Sequence, residues 1–138
     1  IQPFSKHLLQ HYLEHSHLGI YETKQLRLVI SSSSDKAYGL IDLYDFNPMH
    51  RRAGLGIILH EDFQGQGYGK TAIKLMLDYA FTTLDLHQVY VTITSENTKS
   101  IQLFENLGFE LVGRQKDWIY SNATYHDQYF YQKINYVH

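Results

Sequence analysis

The sequence predicts an α/β (α+β) domain: a mixed sheet with helices packed on its faces. Three observations carry this expectation. After an opening helix come three β-rich segments; a glycine loop then leads into a long amphipathic helix; a strand, a short helix and two more strands follow. Mixed order of this kind builds a mixed sheet covered by helices.

The elements follow in order. Pro3 stands near the start of a stretch in which Leu8, Leu9, Tyr12 and Leu13 recur at helical spacing, so 4–17 reads as a helix with Gly19 just past its end. QLRLVIS, 25–31, alternates and is rich in β formers. AYGLIDLYDF, 37–46, reads as its hairpin partner across a polar serine turn, and Asn47-Pro48 ends it. AGLGIILH, 53–60, has a continuous apolar centre and is predicted as a strand buried on both faces. Over 68–84, Ala72, Ile73, Leu75, Met76, Ala80, Phe81 and Leu84 form the apolar face of a helix. QVYVTIT, 88–94, alternates as a strand. Ile101, Phe104 and Leu107 share one side of a short helix at 98–107, which Gly108 caps. FELVGRQK and TYHDQYFYQKI read as two antiparallel strands around a loop near Ser121-Asn122.

At 138 residues the chain is read as one domain, 1–138, able to bury a core without staples. It has no cysteine, which excludes disulfides, thiolate metal sites and cysteine nucleophiles. That is compatible with the cytoplasm, the expected location. No apolar run reaches bilayer length and no signal peptide is visible, so no membrane partner is expected. The first residue is Ile1 rather than Met, so the sequence is read as lacking its natural start. Net charge is −2, and lysines and arginines do not cluster beyond Arg51-Arg52. A nucleic-acid binder shows a basic stripe, so no nucleic acid is expected. Twelve tyrosines and seven phenylalanines read first as core and sheet surface. Nine histidines raise the question of metal. His7/His11 and His15/His17 are spaced for shared ligation, but no third ligand follows, so no metal is expected.

DFQGQGYGKTAI, 62–73, carries the chemistry. Its Gly69-Lys70-Thr71 ends like a nucleoside-triphosphate loop, but the first glycine of that pattern falls at Gln64, and the next strand ends in threonine and serine rather than a magnesium-binding aspartate. A dinucleotide fingerprint needs glycine where Lys70 stands. The residues still suit an anion. Gly65, Gly67 and Gly69 allow close backbone approach and positive φ. The loop also opens a helix, whose first N–H groups and dipole favour negative charge. A pyrophosphate fits there, with Lys70 and Thr71 adding a charge and a hydroxyl. The plain structural account is a glycine turn before an ordinary helix.

Gln-x-x-Gly-x-Gly at 64–69, after an apolar strand and before a long helix, resembles the coenzyme A loop of the GNAT acetyltransferase superfamily. ENTKSIQLFENLGF, 96–109, resembles that family's N-x-x-[AS]-x-x-x-[YF]-x-x-x-GF helix. With the strand order, the resemblance covers about residues 20–134. AFTTLDLHQVYVTITSENTKS points to the branch of ribosomal-protein N-terminal and diamine (spermidine-like) acetyltransferases. The resemblance implies a mostly antiparallel sheet, a V-shaped splay between the 53–60 and 88–94 strands, and acetyl-CoA as co-substrate. It implies an acetyl group moving to a primary amine (a polyamine, a protein N-terminus or a small-molecule amine) by direct attack in a ternary complex. Ile57, Ile58 and Leu59 would pair with the pantetheine arm. Gln64, Gly65, Gln66, Gly67, Tyr68, Gly69, Lys70 and Thr71 would hold the pyrophosphate, and Asn97, Ser100 and Phe104 would border the arm and sulfur.

The chemistry asks for a base, since an alkylamine with a pKa of about 10.4 is protonated at neutral pH, and for a donor to the leaving thiolate. Many family members use a tyrosine four residues before the Gly-Phe; Phe104 stands there and cannot donate. Ser100 is the substitute candidate donor; otherwise it is an ordinary first-turn residue. Asn97 also serves as an N-cap. For the base, Glu22, Asp42, Asp45, Glu96, Asp127, His50, His60 and His87 are candidates, beside a water chain. Asp127 is the first choice, set against a turn-capping or ion-pair role. The family's first strand and helix precede the 4–17 helix, and only part of that material is present. A homodimer is admitted by the sequence but not argued by it. The competing function is a coenzyme A-binding sensor or interaction module, catalytically weak or inactive, which Phe104 favours.

Overall fold

The computed structural model describes residues 19–31 and 36–137. Strands β1 (Leu26–Ser31), β2 (Ala37–Asn47), β3 (Arg52–Leu59), β4 (Gln88–Thr94), β5 (Glu110–Ser121) and β6 (Thr124–Ile134) form one sheet in the order β1-β2-β3-β4-β6-β5. Helix α1 (Tyr68–Thr82) joins β3 to β4, and α2 (Thr98–Asn106) follows β4. Every neighbouring pair is antiparallel except β3–β4. The parallel pair requires a crossover, which the loop and α1 provide.

Alternation sorts the sheet residues. Leu26, Leu28 and Ile30, Ile41 and Leu43, and Val89, Val91 and Ile93 are buried in one core with Ala72, Ile73, Met76 and Ala80 of α1. Phe104 and Leu107 of the second helical segment, and Tyr131, join the same core. The mixed, mostly antiparallel sheet with helices is therefore as expected.

The predicted 4–17 helix lies outside the described residues. Its expected stop at Gly19 is not where helix ends: residues 19–23 are helical. The left-handed residue falls on Lys24, at φ 62°, whose N–H still donates to Ile20 O at 2.8 Å.

The 53–60 strand also differs from expectation. Ala53, Gly54 and Leu55 are buried, but Ile58 is 70% exposed. Ile58 pairs with Leu40 on the sheet face away from the Ile41 core, and beside it β3 also has no β4 neighbour. β3 pairs with β4 only over Arg52–Gly54 and Gln88–Tyr90, and then the strands diverge. The closed end is pinned: His87 and Gln88 N–H both donate to Arg51 O, while the Arg51 guanidinium meets Asp85 at 2.9 Å. The expected V-shaped splay is thus a short parallel ladder that opens toward the glycine loop.

Candidate active site

The splay leaves main-chain groups without a strand partner, and the ladders tell which. His60 N–H donates to Tyr38 O, directly opposite it in the β2–β3 register. Bonded pairs in an antiparallel ladder recur every second residue, so Ile58 and Gly56 also turn toward β2. Leu55, Ile57 and Leu59 therefore turn their N–H and C=O groups to the cleft. On the other wall, Asn135 N–H bonds His87 O and Ser95 N–H bonds Asp127 O, so Thr92 faces inward by the same alternation. Of the three β3 residues expected to pair with a ligand arm, Ile57 and Leu59 turn main-chain groups to the cleft, whereas those of Ile58 belong to the β2 ladder.

The open strand edge runs into the glycine loop. A 3-10 turn over Glu61–Phe63 is capped by His60, whose Nδ1 accepts from Asp62 N–H. Gln64 Nε2 donates to Leu59 O at 3.1 Å and Gln66 Nε2 to Asp62 O at 3.0 Å. The two glutamine side chains therefore fold the loop. Gly65 and Gly67 take φ of 75° and 87°, the region where a side chain is strained. Gly67 is the N-cap of α1 and provides no side-chain cap. The first bond in the helix is Thr71 N–H to Gly67 O at 3.1 Å. The N–H groups of Tyr68, Gly69 and Lys70 thus have no helical partner.

Charge favours the same reading. A helix start normally attracts acids, but the first turn of α1 has none and carries exposed Lys70. The Tyr68 ring is buried against Tyr38 at 4.7 Å and Phe63 at 5.9 Å, so this residue offers only its backbone. At Gly69 an added Cβ would stand 3.2 Å from Leu59 Cδ1 and 3.6 Å from Leu103 Cδ2. The missing side chain lets the helix start sit close to the cleft wall.

Helix α2 is capped at both ends by the residues of its motif. Asn97 Oδ1 accepts from Ser100 N–H at 3.1 Å. At the far end Gly108 has φ 88°, its N–H bonds Glu105 O, and Phe109 N–H bonds Phe104 O. This is a Schellman cap, and its usual apolar contact is Phe104 against Phe109, edge-on at 5.1 Å. Capping thus explains the motif's Asn97, Phe104, Gly108 and Phe109. It does not explain the Ser100 hydroxyl, which borders the cleft.

The cleft has a volume of about 410 Å³. Leu55 and Ile57 line one wall, Val91 and Ile93 the other, and Asn97, Ser100 and Phe104 close the helix side. Among the candidate bases, only Asp42 lines it. Asp127 is engaged elsewhere: one oxygen accepts Asp117 N–H at 2.9 Å and the other meets Arg114 at 3.4 Å, stitching the irregular β5–β6 ladder. Glu96 pairs with His126 at 2.8 Å. Arg27, Thr92 and Gly56 also line the cleft and escaped sequence reasoning, because cross-strand register decides their place. Among the described residues, no group of three or more His, Cys, Asp or Glu is placed to hold a metal ion.

Comparison with known proteins gives the family. The family model for the acetyltransferase (GNAT) domain matches residues 2–110. The chain belongs to the GNAT acetyltransferase family. It is 34% identical over 108 residues to spermidine N(1)-acetyltransferase of Vibrio cholerae, covering 78% of this chain and 62% of that one. The Escherichia coli K12 spermidine N(1)-acetyltransferase is 36% identical over 106 residues, covering 77% and 56%. Both relatives are thus longer than the matched span by more than a third. The dodecameric structure of spermidine N-acetyltransferase from Vibrio cholerae superposes with a TM-score of 0.78 at 31% identity, covering 88% of this chain and 71% of that chain. No helix among the described residues is long and apolar enough to cross a membrane.

Proposed function

We propose that this GNAT domain transfers an acetyl group from acetyl-CoA to a primary amine inside the splay. The observation that carries this reading is the meeting of an open strand edge with an uncapped helix start. The N–H groups at the start of α1, with Lys70, receive the pyrophosphate. Gly65 and Gly67 let the backbone curve around it. Leu55, Ile57 and the Leu59 N–H pair with the amides of the pantetheine arm as an added strand would. The Leu59 carbonyl is withheld, being held by Gln64. Gln64, Gln66 and Tyr68 serve the site by fixing its shape.

The amine attacks the thioester carbon once it is neutral. The developing oxyanion is stabilised by a β3 main-chain N–H turned to the cleft. As the C–S bond breaks, Ser100 passes its hydroxyl proton to the departing thiolate and takes in its place the proton that the attacking nitrogen loses on becoming an amide; Phe104, without a hydroxyl, forms the apolar wall beside it. Asn97 keeps its capping bond through Oδ1 and lends its side-chain Nδ2–H to the arm. Asp127 is not part of this scheme, since both its oxygens have other partners.

Titrating the full chain with acetyl-CoA by calorimetry, with ATP plus magnesium as control, tests the reading. Acetyl-CoA binding with ATP silent is the expected result, followed by amine-dependent release of coenzyme A. A catalytically silent binding module is the second reading, and Phe104 is the observation that favours it. Acetyl-CoA binding without transfer to any amine would select it. Binding of ATP but not acetyl-CoA would overturn both.

A further inference from the structure

A row of three cross-strand neighbours runs into the cleft. Arg27 on β1 lies opposite Asp42 on β2, which lies opposite Gly56 on β3. Paired positions share a face of the sheet. With no side chain at Gly56, the Asp42 carboxylate leans over β3: a Cβ there would stand 2.6 Å from Asp42 Oδ1. The adjoining position repeats the device, since a Cβ on Gly54 would collide with the Tyr44 ring. Two glycines thus clear the floor on which β2 side chains rest.

Asp42 is sheltered, with its side chain 18% exposed, whereas that of Arg27 is 59% exposed. A single contact of 3.4 Å, from Arg27 Nη2 to Asp42 Oδ2, links them. The carboxylate has room for further donors, and its Oδ1 side faces the cleft. Among the described cleft-lining residues it is the one carboxylate. A single long contact to an exposed arginine contributes little, so an incoming cation displaces Arg27 at small cost.

We propose that Asp42 anchors a second positive charge on the acceptor and that Arg27 is a resident counter-cation which the acceptor displaces. The inference rests on the acetyl-transfer reading above. The attacking nitrogen is neutral when it reacts, so the charge held at Asp42 belongs to another group of the acceptor. Asp42 acts here as a specificity residue, with no part in bond making.

The test compares 1,4-diaminobutane with butylamine in steady-state transfer from acetyl-CoA, beside calorimetric acetyl-CoA titration of each variant. Asp42→Asn is expected to raise the ratio of the diamine KM to the butylamine KM by about ten-fold. Gly56→Ala pushes the carboxylate aside while keeping its charge, and moves the ratio the same way by less. Arg27→Gln lowers the diamine KM by roughly two- to five-fold. A ratio unmoved in Asp42→Asn, with acetyl-CoA binding and transfer intact, overturns the assignment of Asp42 alone. Absence of acetyl-CoA binding in the unmodified chain overturns the cleft reading and this inference with it.

Discussion

Gly67 and Gly69 stand two residues apart, and alanine at each should act with unequal consequence. At Gly67 an added Cβ meets nothing within 4 Å, so sterics with neighbours are no obstacle. The cost is conformational: φ is 87°, and a non-glycine residue in that region costs about 1–2 kcal/mol. At Gly69, inside the helix, alanine gains about 1 kcal/mol of helix propensity. Against this stands the contact of 3.2 Å with Leu59 Cδ1, the end of a flexible side chain beside an open cleft. The net change there is close to zero. For a chain of this length each kcal/mol moves Tm by about 3–5 °C. Gly67→Ala should therefore melt lower by about 3–10 °C, and Gly69→Ala within a few degrees of the parent. Calorimetric titration supplies the functional arm. If alanine drives residue 67 out of the left-handed region, the N–H groups that follow turn away, and acetyl-CoA affinity falls by about ten-fold or more. Equal melting temperatures for the two variants, or stronger loss of binding in Gly69→Ala, would refute the reasoning.

Three further outcomes follow from the same geometry. Ser100→Ala should lower kcat by about 10²-fold, the lower end of acid–base contributions, with little change in acetyl-CoA affinity; Phe104→Tyr, which returns a hydroxyl to the cleft wall, should restore part of it. Gly39→Ala should destabilise by about 1–3 kcal/mol in urea unfolding, because its Cβ would collide with Ile58 O and stand 2.9 Å from Leu59 Cα, both backbone. Burial pushes the Tyr79 and Tyr131 hydroxyls up to about 12, aided at Tyr131 by its bond to Glu105. Folded pKa values above the unfolded value of 10 mean that this stability is present below pH 10 and lost as pH rises from 10 toward 12. Alkaline unfolding should show that loss, and Tyr131→Phe should reduce its steepness.

Most of the fold was legible because its periods are clean. β4 occupies 88–94 as alternation predicts, and the Asn97 and Gly108 caps set α2 within a residue. β3 was read as buried throughout because a run of apolar residues does not record where a neighbouring strand departs. Only the register shows that pairing stops at Gly54. The site was legible as backbone and less so as side chains. Glycine spacing announced the anion-ready helix start. The glutamines looked like ligands because sequence does not reveal which way an amide points; here Gln64 bonds the last carbonyl of β3, at Leu59, and Gln66 the Asp62 carbonyl. Asp127 looked like a base until its partners across the hairpin were placed. The Arg27–Asp42–Gly56 row is spread over three strands, so no local pattern could announce it.

The loop that resembles a triphosphate site suits the proposed ligand better for a reason beyond its missing glycine. A triphosphate needs a compact cradle and a carboxylate for magnesium at the end of the neighbouring strand. Here β4 ends at Thr94, whose carbonyl is taken by Asn97 N–H. The helix start instead opens onto a strand edge that is unpaired from Leu55 to Leu59. At about 3.3 Å per residue, that edge runs for about 16 Å. A ligand that uses the whole surface must carry an anion at one end and an extended arm with amide groups along it. Either half alone is a common feature of α/β proteins. Joined end to end by Gly65 and Gly67, the two halves suit the proposed ligand, a pyrophosphate attached to a peptide-like arm, whose tip would lie between Ser100 and Gly56.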